Sequence, residues 1–156
     1  MSINIDQSNT TSSEVGANGR VLLSVLAALS EGKAAEAADQ FDEHFTFNDH
    51  ALGLEFSDKG RLRDFFQKSR ELFPDSVVEA DAISECRDRT VVQWTLKATQ
   101  DVSYGGFGHR RVSIFLRGVS IVHLKNGRVT RWSDYYDQLA SRRSGLAEFF
   151  TEWIEY

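Results

Sequence analysis

One cysteine, one proline and one methionine are all that the 156 residues contain of those types. A lone cysteine excludes an internal disulfide and points to a reducing compartment. Cys86 stands in no Cys-X-X-Cys or other thiolate-activating motif, so it reads as a small, half-buried strand residue rather than a nucleophile. No apolar run approaches the roughly 18 residues of a membrane span. A one-sided basic stripe is missing too. The net charge is −5 and the basic residues are interleaved with acids, which argues against nucleic acid as a partner. The polar stretch Met1–Ala17 lacks the charged-then-apolar layout of a secretory signal, so a cytoplasmic protein is expected.

Several catalytic classes fall away for the same kind of reason. There is no Gly-X-Ser-X-Gly elbow. The run Gly105-Gly106-Phe107-Gly108 has no strand before it, no helix after it and no Gly-Lys-Ser/Thr, so it is not a phosphate loop. Three or four ligands at metal-binding spacing are absent, and neither a metal nor any other cofactor is expected.

What the chain does have is aromatic side chains: eleven Phe, four Tyr and three Trp. Such residues supply buried area and also line small-molecule pockets. With 41% apolar and 26% charged residues the composition is that of an ordinary globular chain, and the length suits one domain. Residues 1–17, rich in Ser, Thr and Asn, read as a flexible tail, and 18–156 as the single domain.

Periodicity orders the rest. Val21, Leu22, Val25, Leu26 and Leu29 recur at helical spacing, Gly32 interrupts, and the Ala-rich Lys33–Phe41 reads as a second short helix. His44–His50 suggests a strand. Ser57 is the expected N-cap of a helix carrying Leu62, Phe65, Phe66, Leu72 and Phe73 on one stripe, which Pro74 ends. Four strands follow as a meander: Val77–Cys86, Thr90–Gln100, Val112–Leu124 and Val129 to about Asp137. Asp101–Arg111 reads as a loop, Gly118 as a bulge or bend, and Asn126-Gly127 as a tight hairpin turn. Gly145–Tyr156 looks like a terminal helix. Helices gathered on one side of a bent antiparallel sheet give an α+β fold with a conical cavity between the layers.

The chemistry concentrates in Trp132-Ser133-Asp134-Tyr135-Tyr136-Asp137. Strand alternation puts Trp132, Asp134 and Tyr136 on one face and Ser133, Tyr135 and Asp137 on the other. If the first face points inward, a carboxylate lies between two large aromatics, where burial raises its pKa and suits it to proton transfer. If the second does, Asp134 meets solvent; alternation alone leaves both open. Asn48-Asp49-His50 is a second polar cluster. Asn48 and His50 are candidates for pocket polar groups, His50 also as a base, against the plain reading of a surface histidine. Trp94 reads as a core residue that also serves as a pocket wall. His109 reads as solvated beside Arg110 and Arg111, and His123 as a residue of the sheet surface.

These residues resemble the SnoaL-like branch of the nuclear transport factor 2 superfamily over about Gly19–Gln138. The carriers are Leu72-Phe73-Pro74-Asp75, Leu116-Arg117-Gly118-Val119, and Asn126-Gly127-Arg128-Val129 leading into the Trp132–Asp137 motif. The resemblance implies a cone-like α+β barrel and a homodimer through the sheet. It implies no single activity. Polyketide cyclases of the group use an aspartate near the end of the last strand as general base. Limonene epoxide hydrolase-like members end in Trp-X-Asp-Tyr-X-Asp, and their catalytic aspartate matches Asp134. Their Arg-X-Asp pair is replaced here by Gln93-Trp94-Thr95-Leu96, and the Gly-Thr-His of many ester-cyclase relatives by Lys97-Ala98-Thr99-Gln100. What these observations lead one to expect is a cofactor-independent cyclase, isomerase or hydrolase acting on a hydrophobic small molecule, or a non-catalytic binding or dimerisation module on the same fold.

Overall fold

A computed structural model describes residues 15–103 and 109–137. The elements run α1 (Ala17–Ser30), α2 (Ala34–Asp39), β1 (Phe41–Asp49), β2 (Leu54–Phe56), α3 (Lys59–Leu72), β3 (Val77–Glu85), β4 (Thr90–Ser103), β5 (His109–Lys125) and β6 (Arg128–Tyr136). The strands form one six-stranded curved, unclosed sheet in the order β2-β1-β6-β5-β4-β3.

The meander β3-β4-β5-β6 is antiparallel throughout, as the turn signals require. Asn126 (φ 52°) and Gly127 (φ 72°) both take the left-handed conformation of a two-residue hairpin between β5 and β6. The first strand departs from the sequence reading. It begins at Phe41, and it pairs with β6 in parallel, so the sheet is mixed rather than wholly antiparallel. The short β2, which the sequence reading missed, covers the free edge of β1.

Other boundaries shift for local reasons. The cap of α3 is Asp58 rather than Ser57: its Oδ1 accepts from the Arg61 N–H at 2.8 Å. The expected loop Asp101–Arg111 is shortened because β4 and β5 pair out to Ser103 and His109. Gly118 makes no bulge. Register against β4 runs unbroken through it, opposite Trp94, and on the other side it forms the last pair with β6, opposite Tyr136. The glycine is needed because a Cβ there would lie 2.3 Å from Trp94 Cζ2. Cys86 is exposed, just past the end of β3, where its N–H donates to the Arg89 carbonyl at 2.8 Å. Helix α1 has no side-chain cap of its own. Instead Glu85, at the end of β3, accepts from the Gly19 N–H at 2.8 Å and ties helix to sheet.

The core lies between the helices and the inner face of the sheet. Leu22, Val25 and Leu26 from α1 and Leu62, Phe65 and Phe66 from α3 meet Phe41, Phe45 and Phe47 of β1 and Val92, Val122 and Val129 beyond. Among the described residues no helix is long and apolar enough to cross a membrane. Residues 1–14 of the expected tail, Tyr104–Gly108 and the expected terminal helix lie outside the described residues. Val15 is buried, and its carbonyl accepts from Arg20.

Candidate functional site

Alternation along β6 turns Trp132, Asp134 and Tyr136 to the helix-covered face and leaves Tyr135 exposed on the other. The three inward residues line a cavity of about 140 Å³. Its walls are mostly apolar, and Phe47, Phe65, Phe66 and Trp94 supply the remaining aromatic surface. The volume is close to the roughly 150 Å³ of an apolar cavity that holds a benzene-sized ligand.

Two carboxylates enter this apolar space. Asp134 and Asp49 are register partners on β6 and β1, so both project the same way. Asp134 Oδ1 accepts from Ser120 Oγ at 2.5 Å and from Trp132 Nε1 at 2.6 Å. Ser120 Oγ in turn accepts from Trp94 Nε1 at 2.8 Å. Asp134 Oδ2 accepts no hydrogen bond from the described residues. Burial pushes the Asp134 carboxyl up to about 7; the neighbouring Asp49 charge adds to the rise, and the bonds from Ser120 and Trp132 oppose it.

Asp49 sits at the inner end of β1, only 5% exposed. Its Oδ1 accepts from the Leu52 N–H at 2.9 Å and its Oδ2 from the Tyr136 hydroxyl at 2.8 Å. Burial raises its pKa as well, against these bonds. Tyr136 is pushed above the ordinary phenol value by burial and by the carboxylate beside it, so it keeps its proton. Its ring meets Trp94 edge to face at 5.8 Å. The cavity thus holds two acids that resist ionising together, a phenol bound to one of them, and one carboxylate oxygen left open by the described residues.

Of the residues singled out in the sequence, Asp134, Trp132, Tyr136 and Trp94 come together in the cavity. Asn48 and His50 do not. Asn48 has the opposite parity on β1 to Phe45, Phe47 and Asp49, which point inward, and His50 lies just past the end of that strand. His50 is exposed on the outer side, stacked on Tyr135 at 4.5 Å, while its N–H donates to the Asp134 carbonyl. It lines no part of the cavity. His123 is half-buried on the outer face, and no side-chain placement is described for His109.

Two polar cavity residues were not picked out as site residues from sequence, Asp49 and Ser120. Each left a signal. Asp49 continues the parity of Phe45 and Phe47, and Ser120 is a polar residue on the apolar parity of Ile114, Leu116 and Val122. Among the described residues no group of three or more His, Cys, Asp and Glu is placed to hold a metal ion.

The model of the SnoaL-like domain matches residues 23–132. The chain belongs to the SnoaL-like family. Solved structures agree on the fold at low identity. A candidate SnoaL-like polyketide cyclase from Shewanella putrefaciens CN-32 superposes with a TM-score of 0.71 at 15% identity, covering 88% of this chain and 90% of that one. AclR, a candidate hydroxylase from Streptomyces galilaeus, gives 0.67 at 17% identity over 82% and 84%. TerC, co-crystallised with polyporic acid, gives 0.68 at 16% identity over 85% and 99%. Comparison with curated protein sequences gives no match. A SnoaL-like fold whose neighbours include cyclase and hydroxylase candidates sets the architecture and leaves the reaction to the site.

Proposed function

We propose that this SnoaL-like protein is a cofactor-independent enzyme that moves a proton on a compact, hydrophobic, uncharged small molecule. Asp134 is its general base. The observation that carries this reading is the Oδ2 of Asp134, which accepts no hydrogen bond from the described residues, in a mostly apolar cavity and on a carboxyl whose pKa of about 7 matches neutral operation. Oδ2 takes a proton from an activated C–H or from a water, and the bonding electrons stay on the substrate as an enolate or on the water oxygen. Tyr136 holds the substrate oxygen. At rest the phenol donates to Asp49 Oδ2, and its hydroxyl turns from that carboxylate to bind the developing oxyanion. His50 and Asn48, on the other face, are left out of this mechanism.

A positioned base supplies a factor of about 10²–10⁴, so the tyrosine must contribute as well. The test is turnover of a panel of compact ketones, enones and epoxides, followed by product NMR, with wild type and Asp134→Asn. Loss of a wild-type product in the variant supports the reading; equal turnover by both ends it.

A non-catalytic ligand-binding module is the second reading. It is favoured by the absence of the Arg-X-Asp pair and by the engagement of Trp132, Ser120 and Tyr136 donors with the two carboxylates. Tight binding without turnover would select it. A homodimer through the outer sheet face belongs to either reading, with Phe115 (53% exposed) and Tyr135 (46% exposed) as apolar contacts. A monomer at micromolar concentration in light scattering removes it. The single cysteine suits a cytoplasmic setting for both.

A further inference from the structure

An indole N–H donates and never accepts. That one fact gives a direction to the chain of hydrogen bonds behind Asp134. Trp94 Nε1 donates to Ser120 Oγ, so the serine oxygen is already an acceptor and its own proton points to Asp134 Oδ1 at 2.5 Å. Trp132 Nε1 donates to the same oxygen at 2.6 Å. Two donors converge on Oδ1: the indole proton of Trp132 cannot be reversed, and the serine proton has no other acceptor among the described residues. A proton on Oδ1 would turn the serine hydroxyl from its one acceptor and crowd the Trp132 N–H, so the neutral acid carries its proton on Oδ2.

We propose that Trp94, Ser120 and Trp132 are positioning residues that reserve Oδ2 of Asp134 as the atom that takes and returns the proton. Trp94 acts at one remove, by orienting the serine hydroxyl. Its own ring is fixed over Gly118, where a side chain would displace it, and by edge contact with Tyr136. This deepens the general-base reading and rests on it for its catalytic meaning. The proton geometry itself stands without any substrate. In a turnover the substrate C–H breaks, its electron pair stays on carbon, Oδ2 becomes O–H, and the same proton returns to the product at another atom.

Few other charges face this carboxyl. Asp49 comes from β1 and the Tyr136 phenol from β6 itself. The described cavity residues of α1 (Val25, Leu26, Leu29), α3 (Phe65, Phe66), β3 (Val78) and β4 (Trp94, Leu96) carry no titratable group. The titration of Asp134 therefore reports on the donors and on Asp49.

The test is ¹³C NMR titration of aspartate side-chain carboxyls in the full-length protein without ligand. Each donor favours the charged form, so Ser120→Ala raises the Asp134 midpoint by about one pH unit, and Trp132→Phe does likewise. Ser120→Thr stays near wild type. Trp94→Phe gives a smaller rise, and adding it to Ser120→Ala gives no further rise, because its effect passes through the serine. A Ser120→Ala midpoint equal to wild type overturns the proposal, as does full additivity of Trp94→Phe and Ser120→Ala. Should Trp94→Phe fail to give a dispersed spectrum, Ser120→Ala and Trp132→Phe decide alone. A general loss of packing would move many resonances, whereas this proposal moves Asp134. If the titration behaves as stated and no substrate is ever turned over, the base reading fails and the proton geometry stands.

Discussion

Asp49 and Asp134 are register partners on neighbouring parallel strands and line the same apolar cavity. Two carboxylates so placed resist ionising together, and burial adds to the effect. The pair is more than an electrostatic liability if the protein works by proton transfer, since burial and the Asp49 charge hold the Asp134 carboxyl at about 7, where it can take and return a proton.

The pair makes stability depend on pH in a definite sense. Asp134 titrates at about 7 when folded and at an ordinary carboxylate value when unfolded, so the folded state holds more protons in between. Its contribution is most favourable at acid pH and is lost as pH rises from about 4 to 7. Asp49, also raised, acts in the same direction. Asp134→Asn presents an amide oxygen to Ser120 and Trp132 and an NH₂ where Oδ2 stood, a mimic of the neutral acid. It should be more stable than wild type at pH 8 by about 2–4 kcal/mol, with the gap closing toward pH 4. Urea denaturation at pH 4.5 and 8 measures this.

Gly118→Ala places a methyl group 2.3 Å from Trp94 Cζ2, far inside contact distance. The ring must leave its seat and its bond to Ser120 lengthens or breaks. A loss of about 1–3 kcal/mol in stability is expected, as for other overpacked sites, together with a change in near-ultraviolet circular dichroism.

Thr90 is fully buried and its hydroxyl has no hydrogen-bond partner among the described residues. Thr90→Val keeps the shape and removes the unsatisfied oxygen, so it should raise stability by about 1 kcal/mol. Thermal and urea denaturation give the answer, and a loss of stability would mean that the hydroxyl is in fact satisfied.

The described cavity wall holds two aspartates and no lysine, arginine or histidine. An anionic ligand would enter beside like charge without a counterion. In a matched set of benzyl alcohol, benzylamine and benzoate at pH 8, benzoate should bind at least about tenfold more weakly than the alcohol. Ligand-detected NMR ranks the three, and equal binding of benzoate would remove the charge argument.

How much of this was legible in the sequence differs from element to element. The helices α1 and α3, the hairpin at Asn126-Gly127 and the meander follow from periodicity and turn chemistry, which are local. The parallel seam between β1 and β6 does not, because nothing near Phe41 or Val129 in the chain announces the other. Residue type and parity disagree along β1. His50 and Asn48 drew attention by residue type, yet Phe45 and Phe47 fix the inward parity and bring Asp49 to the cavity. Gly118 was read as a backbone device, whereas its partner is a side chain that sequence could not place opposite it. The Trp132–Asp134–Tyr136 face was one of two equal alternatives until the helices showed which side they cover.

The seam has a kinetic consequence. Tyr136 and Asp49 bond across 87 positions of chain, and the strands that carry them are among the last to be able to meet. Closing so long a loop is slow, and local helices and hairpins form well before it. A nascent or partly folded chain can therefore own every residue of the cavity and still have no cavity. The two acids approach only in the closing step, so mildly alkaline solution, which keeps both ionised, should slow refolding more than it speeds unfolding.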